Sequence, residues 1–156
     1  MTQSIDELIE IIGKRCKDKN YSLVTAESCT GGGLAYFITK NPKSSSILER
    51  GYVTYSLAAK ESNLNVSAYA LQAYGPVSQE VAKQMAEGAL KNSTAQISIA
   101  ITGVEEDGEK KGLVWIACSG NNKQTIAKEF EITGSREIFI NKSVNEALII
   151  LLKFIS

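Results

Sequence analysis

The chain has 156 residues, enough for one domain with a single buried core. Its 17 basic and 17 acidic side chains balance, and neither sign forms a block, so the charge pattern excludes a strongly basic nucleic-acid-binding surface and a charged interaction tail. Three scattered cysteines are too few for a disulfide framework or a zinc site. The polar N-terminus does not have the pattern of a signal peptide, and the longest apolar run, Ala147 to Leu152, is too short to span a bilayer. We therefore expect one cytoplasmic domain over residues 1–156, without membrane or nucleic-acid partners.

The first half of the chain alternates between helical and extended patterns. Ser4 to Glu7 has the form of a capping box before a helix with one apolar face. The pattern then predicts a strand at about 22–26, a helix at 32–40, a strand at 51–56 and short helices at 57–63 and 68–74.

The second half of the chain carries the patterns of the remaining helices and strands. A turn at Gly75 to Ser78 precedes a helix, and an apolar strand follows at about 95–102. Strands at 113–118 and 125–132 are joined by a hairpin signal, and a last helix covers about 136–154. Helices that alternate with strands, followed by a hairpin, predict an α/β fold: a three-layer α/β/α sandwich with a mixed, mostly parallel sheet of about five strands, one of them antiparallel.

The segment after the first predicted strand is rich in chemically useful residues. Glu27, Ser28, Cys29 and Thr30 are followed by three glycines and a helical pattern. Such a strand–turn–helix junction can direct backbone N–H groups toward an anion or an oxyanion, and Ser28 could be a nucleophile there. The chain contains no histidine. Any base that activates a serine would therefore be a lysine, a tyrosine or a carboxylate.

Two further strand ends carry residues of this kind. Tyr55 closes the second predicted strand, with Lys60 about one helical turn later, and Thr102 and Gly103 close the third. Because ligands of open α/β sheets gather beyond the carboxyl ends of the strands, these residues are expected to share one crevice.

Each of these residues also has a purely structural interpretation. Ser28 or Thr30 could cap the following helix, and Lys60 could be a solvated helix residue. Tyr55 could be a half-buried strand aromatic, and Cys29 a small buried apolar group.

Several motifs together resemble the CinA C-terminal domain family, the PncC-type nicotinamide-nucleotide amidohydrolases. The resemblance extends over almost the whole chain, and the first of its motifs is specific. Residues 25–32 match the family pattern TAESCTGG, residues 50–56 resemble RG-x-V-x-YS with Lys60 at the family's lysine, 75–78 resemble GAVS, 101–104 ITGI, 112–117 VG-x-VWIA and 134–136 GDR.

The resemblance implies hydrolysis of the carboxamide of nicotinamide mononucleotide, a small-molecule nucleotide, without a metal or an organic cofactor. It implies Ser28 as nucleophile, Lys60 and Tyr55 as proton-transfer groups and Thr102 as a strand-end hydroxyl. Backbone N–H groups near Thr30 and Gly31 would hold the oxyanion or the phosphate. The expected substrate-binding residues are Glu27, Cys29, Thr30, Gly31, Gly32, Gly103 and Arg136. The sequence is compatible with a homo-oligomer but does not fix the number of subunits.

The chain departs from the family pattern near the expected nucleotide. The family's glycine-rich loop after ITGI is replaced by a shorter acidic segment beginning Glu105-Glu106-Asp107, which is interpreted as a solvated loop, with a metal site as a second reading. Leu57 replaces an asparagine, Ser135 an aspartate and Ile140 a second arginine. The N-terminal domain of many CinA proteins is absent, which suggests a stand-alone version.

Two functional hypotheses follow. The chain is either a working amidohydrolase with a modified nucleotide site, or a paralogue of weak or no activity that binds a nucleotide or a partner. Retention of the serine, lysine, tyrosine and threonine favours the enzyme; the altered loop and Ile140 favour the binding module.

Overall fold

The computed structural model describes residues 3–104 and 112–156. Its elements follow each other in the predicted order. They are α1 (Ile5–Lys19), β1 (Leu23–Glu27), α2 (Gly33–Lys40), a 3₁₀ turn (Ser45–Ile47), β2 (Leu48–Val53), α3 (Leu57–Leu64), α4 (Ala68–Tyr74), α5 (Gln79–Lys91), β3 (Ile97–Gly103), β4 (Leu113–Gly120), β5 (Lys123–Glu131) and α6 (Arg136–Ile155). No helix in these two ranges is long and apolar enough to cross a membrane.

The five strands form one mixed sheet in the order β2-β1-β3-β4-β5. β1 pairs in parallel with both β2 and β3, whereas β4 is antiparallel to both of its neighbours. Among the strands that the structure describes, β4 is therefore the one that runs against the others. This arrangement confirms the predicted mostly parallel sheet, and it brings the carboxyl ends of β1, β2 and β3 to the same edge.

Alternation along the central strands divides the core between the two faces of the sheet. Ile97, Ile99 and Ile101 of β3 pack in a cluster with the apolar faces of α1, α2 and α6. Ala100 of the same strand belongs to the opposite cluster, which α3, α4 and α5 cover. The predicted α/β/α sandwich is thus confirmed, and the described residues place three helices on each side of the sheet.

Two strand boundaries differ from the predicted ones. β2 ends at Val53, not Ser56, because the Ser56 hydroxyl accepts a hydrogen bond from the Ala59 N–H at 3.0 Å and so begins α3. Tyr55 consequently lies in the connection after the strand. In the hairpin, β5 begins at Lys123, and Asn122 adopts φ +63° in a turn that is shorter than predicted.

The first and last helices lie side by side, and basic side chains gather at the C-terminal end of α6. Lys19 Nζ donates to the Ile155 carbonyl and Lys123 Nζ donates to the Phe154 carbonyl, each at 2.5 Å. These carbonyls belong to the last turn of α6, where no further helical N–H follows to pair with them. Cations at a helix C-terminus also interact favourably with the helix dipole.

Gly88 of α5 allows a close approach of two helices. A Cβ built on this residue would lie 1.8 Å from the Leu64 carbonyl oxygen at the end of α3. We expect Gly88→Ala to lower the free energy of unfolding by about 1–3 kcal/mol, because the two helices must move apart. Urea unfolding measures this change, and Lys91→Ala on the exposed face of α5 is the matched control. An unchanged midpoint in Gly88→Ala would contradict the close packing.

Candidate functional site

A cavity of about 460 Å³ opens where the parallel strands end. Its wall combines side chains that follow β1, β2 and β3 with the start of α6. The described lining residues are Ser28, Tyr55, Ser56, Leu57, Lys60, Pro76, Val77, Thr102, Gly103, Val104 and Arg136. All four residues expected to take part in catalysis therefore lie around one cavity, together with Gly103 and Arg136 from the expected substrate-binding set.

Ser28 is held at the floor of this cavity by β3. Its N–H donates to the Ile101 carbonyl at 3.1 Å, and its side chain is 6% exposed. The hydroxyl lies 3.3 Å from Thr102 Oγ1 and 3.4 Å from the Ile101 carbonyl oxygen. Thr102 donates its own proton to the Pro76 carbonyl at 2.8 Å, so its oxygen is oriented to accept from Ser28.

Ser28 does not cap α2. The N-cap residue of this helix is Gly32, which makes no side-chain cap hydrogen bond. The Thr30 hydroxyl does not cap the helix either, because the first N–H groups of α2 donate to the Thr30 carbonyl and to the Glu27 carboxylate. The helix-capping interpretation of Ser28 and Thr30 is therefore wrong.

Lys60 is buried at one side of the cavity, with 2% of its surface exposed. Its Nζ donates to the carbonyl of Thr54 at 2.8 Å and to that of Tyr55 at 3.4 Å. Burial lowers the pKa of the Lys60 amine from its usual 10.5, and the nearby Cys29 thiol opposes this shift. The solvated-helix interpretation of Lys60 is therefore wrong, because the side chain is buried. A buried amine with a lowered pKa is suited to accept a proton.

Tyr55 is placed at the mouth of the cavity. Its main-chain carbonyl accepts from Lys60, while its side chain is 63% exposed. The neighbouring Leu57, at 51%, is also exposed despite being apolar. Tyr55 is therefore neither half-buried nor within the strand, and its phenol can reach a ligand that enters from solvent.

Glu27, an expected substrate-binding residue, instead anchors the protein's own backbone. The side chain is completely buried, and Oε1 accepts from Thr30 Oγ1 at 2.6 Å and from the Leu34 N–H at 2.8 Å. Oε2 accepts from the Ala35 N–H at 3.0 Å. The expectation of direct substrate contact by Glu27 and by the Thr30 hydroxyl is wrong, because the Glu27 carboxylate accepts from the first turn of α2 and the Thr30 hydroxyl donates to that carboxylate.

Among the backbone N–H groups near Thr30 and Gly31 that were expected to hold an oxyanion or a phosphate, that of Gly31 already has a partner. The N–H of Gly31 donates to the Ser28 carbonyl at 3.0 Å, and the N–H groups at the start of α2 are taken by Glu27. Gly31 and Gly32 adopt φ +60° and +98°, a region that favours glycine, so their role is to turn the chain. Neither is among the described residues that line the cavity.

Cys29 lies behind the cavity wall, not in it. Its side chain is 8% exposed and belongs to the apolar cluster beneath α1, α2 and α6. A Cβ on Gly103 would lie 3.1 Å from its sulfur, so a glycine at position 103 makes room for the thiol. The structure thus fits the interpretation of Cys29 as a small buried group, and not the expected substrate contact.

The positions that depart from the family pattern fall in different places. Leu57 lines the cavity mouth. Ile140 packs against the core, and its Cγ2 lies 3.3 Å from where a Gly33 Cβ would be, so this residue faces α2. The acidic segment at Glu105, Glu106 and Asp107 lies outside the described residues. Within residues 3–104 and 112–156, no group of three His, Cys, Asp or Glu side chains could hold a metal ion.

Several residues that line the cavity carry no functional signal in the sequence. Pro76, Val77 and Val104 form apolar wall, and the Pro76 carbonyl fixes the Thr102 hydroxyl. The turn at 75–78 was predicted, but no spacing in the sequence indicates that it packs against the end of β3.

The fold and the cavity define a class of protein: an α/β/α domain with a serine, a threonine and a buried lysine around one pocket at the carboxyl edge of its sheet. The family model for the CinA C-terminal domain matches residues 5–155. This chain belongs to the CinA C-terminal domain family.

Individual relatives agree with this assignment. A competence-damage inducible protein of Caldicellulosiruptor saccharolyticus is 39% identical over 151 residues, which are 94% of this chain and 36% of that protein. The chain therefore spans about a third of the length of such curated relatives. The crystal structure of the competence/damage inducible protein CihA from Agrobacterium tumefaciens has a TM-score of 0.92 at 33% identity and covers 99% of both chains. A CinA superfamily structure from Enterobacter cloacae has a TM-score of 0.94 at 30% identity, covering 100% of this chain and 95% of that one.

Proposed function

We propose that this chain hydrolyses the carboxamide of nicotinamide mononucleotide, releasing ammonia and nicotinate mononucleotide. One observation carries the proposal: Ser28, Thr102 and a buried Lys60 of lowered pKa line a single cavity. The serine can supply a nucleophile, and the lysine is the basic side chain of that cavity best suited to take its proton. The resemblance to nicotinamide-nucleotide amidohydrolases supports the choice of amide.

The proposed reaction proceeds through an acyl-enzyme. Ser28 Oγ attacks the carboxamide carbon, a C–O bond forms, and the hydroxyl proton passes to the Lys60 amine directly or through one water. The protonated lysine then gives this proton to the departing nitrogen, and the C–N bond breaks to release ammonia. A water molecule next attacks the ester carbon and Lys60 takes its proton. Lys60 then gives this proton to Ser28 Oγ as the C–O bond to Ser28 breaks, which releases the carboxylic acid and restores both side chains.

Other cavity residues fit supporting roles in this proposal. Thr102 orients the Ser28 hydroxyl, and the Tyr55 phenol at the mouth assists proton transfer to the leaving group. Arg136 provides a guanidinium at the cavity wall, where it can bind the phosphate of the nucleotide. Because Glu27 already fills the N-terminus of α2, the phosphate is assigned to the Arg136 side.

The activity should rise with pH as Lys60 loses its proton. Because burial lowers the pKa of this amine, the neutral base forms at a pH below 10.5. We therefore expect kcat/KM to increase with a midpoint below 10.5, which reports the base in the free enzyme. A profile of kcat/KM from about pH 6 to about pH 11.5, measured in overlapping buffers, tests this expectation. A midpoint at or above 10.5 would contradict Lys60 as a buried base.

A second candidate function is a nucleotide-binding or partner-binding module with weak or no activity. The observation in its favour is that Lys60 donates to two main-chain carbonyls, while the Ser28 hydroxyl lies against Thr102 and Ile101. In this reading the amine holds the segment after β2 in place. The replacement of the family's asparagine by Leu57 at the cavity mouth also fits an altered ligand.

The deciding experiment is a direct assay of the purified chain with nicotinamide mononucleotide. Ammonia is followed by a coupled enzymatic assay, and nicotinate mononucleotide by mass spectrometry. Equal molar amounts of both products would support the amidohydrolase. Binding in a calorimetric titration without either product would favour the module, and neither binding nor product would overturn this substrate for both functions.

A further inference from the structure

We infer that Glu27 is a positioning residue that sets the geometry of the Ser28 nucleophile by tying the glycine turn to the start of α2. The inference rests on the proposed function, since it concerns the same serine. Glu27 itself is not among the described residues that line the cavity, so it acts through the backbone.

The main chain of Glu27 is fixed inside the sheet. Its carbonyl accepts from the Thr54 N–H at 2.8 Å, and the residue is paired with Val53 on one side and with Ile101 on the other. The side chain projects toward α2 and is completely buried. Because the backbone of Glu27 is paired on both sides, its carboxylate can restrain the glycine turn and the start of α2.

The carboxylate binds both the turn and the helix beyond it. Thr30 donates from within the turn at 2.6 Å, and the N–H groups of Leu34 and Ala35 donate from the first turn of α2 at 2.8 and 3.0 Å. Hydrogen bonds to a charged acceptor are stronger than those between neutral groups. No side chain at the N-cap position makes this connection, since that residue is Gly32.

Ser28 is the residue most affected by this arrangement. It follows Glu27 directly, and its carbonyl accepts from the Gly31 N–H at 3.0 Å inside the same turn. The two glycines adopt positive φ and offer little stiffness of their own. Without the carboxylate, the turn can relax, and the Ser28 hydroxyl loses its alignment with Thr102 and the cavity.

The test compares Glu27→Gln with Glu27→Asp and Thr30→Val. Glutamine keeps the length but presents an NH₂ group to one set of donors, and aspartate keeps the charge with a shorter reach. Thr30→Val removes one of the three hydrogen bonds at nearly constant volume. Ser67→Ala is the matched control, because Ser67 caps α4 by accepting from the Ala70 N–H at 3.0 Å and is not among the described lining residues.

Two readouts are measured on each variant. The first is kcat and KM for nicotinamide mononucleotide. The second is the rate at which a fluorophosphonate labels Ser28. In this reaction Oγ forms a bond to phosphorus, fluoride leaves and the hydroxyl proton passes to Lys60. Intact mass and peptide mapping identify the adduct. The second readout needs no nucleotide binding, so it separates this inference from the choice of substrate.

We expect Glu27→Gln to lower both kcat and the labelling rate by about 10- to 100-fold, with KM changed by less than about threefold. Aspartate should restore part of the loss, and Thr30→Val should cost about three- to tenfold. Ser67→Ala should lower the melting temperature but neither rate. If Glu27→Gln does not fold, the kcat values and labelling rates of Thr30→Val and Glu27→Asp test the positioning role.

Unchanged labelling and kcat in the folded variants would overturn the positioning role. A wild type that is labelled at Ser28 but releases no ammonia would overturn the proposed amidase. The labelling rates of the Glu27 variants would still test the positioning role in that case. A wild type with neither labelling nor turnover would overturn the serine nucleophile and this inference with it.

Discussion

Ser28→Ala is expected to abolish ammonia release while leaving the melting temperature nearly unchanged. The hydroxyl is the proposed nucleophile, so its loss removes the covalent route entirely. Its structural contribution is small, because its contacts with Thr102 and Ile101 are long, at 3.3 and 3.4 Å, and it does not cap α2. We expect the free energy of unfolding to change by no more than about 1 kcal/mol. Product formation and thermal unfolding of the same sample measure both quantities.

Ser67→Ala is a suitable control for this substitution as well. It removes a true helix cap at the start of α4, so it should cost about 1 kcal/mol of stability and spare turnover. The two variants are thus expected to show opposite patterns. If Ser28→Ala retained full activity, Ser28 would not be the nucleophile.

Lys60→Met is expected to reduce turnover as much as Ser28→Ala. Methionine fills a similar volume in the buried site but cannot accept a proton from the serine. The double variant should be no worse than either single one, because residues that act as a unit lose their effect together. Rate measurements on the two single variants and the double variant test this non-additivity.

Lys60→Arg is the matched control for charge. A guanidinium remains protonated in proteins, so it could preserve the hydrogen bonds to the Thr54 and Tyr55 carbonyls but not supply a base. We expect this variant to bind the nucleotide and remain inactive. Full activity in Lys60→Met would rule out the serine–lysine pair, and activity in Lys60→Arg would show that charge alone suffices.

The order of helices and strands could be predicted because local patterns determine it. Ser4 accepts from the Glu7 N–H at 3.1 Å as the capping-box pattern predicts, and the apolar residues of α1 pack into the core. The convergence of Ser28, Lys60 and Thr102 followed from strand polarity, since parallel strands end at one edge of a sheet.

The wrong expectations concern directions that no local pattern specifies. Glu27 reaches residues seven and eight positions later, which requires the chain reversal at Gly31 and Gly32. The side to which Ile140 points depends on the rotation of α6 about its own axis, and this is set by packing against Gly33. The pattern also places the end of β2 too late in the chain, because Ser56 is compatible with a strand but serves as the N-cap of α3.

The contact between α1 and α6 has a consequence for how the chain reaches its fold. Lys19 Nζ meets the Ile155 carbonyl across 136 positions, and β1 pairs with β3 although α2 to α5 lie between them in the chain. Such distant contacts carry a large loop-closure cost and slow folding. The half of the core beneath α1, α2 and α6 is completed only when α6 packs against it, so a chain in which α6 has not yet docked still exposes apolar side chains that favour aggregation.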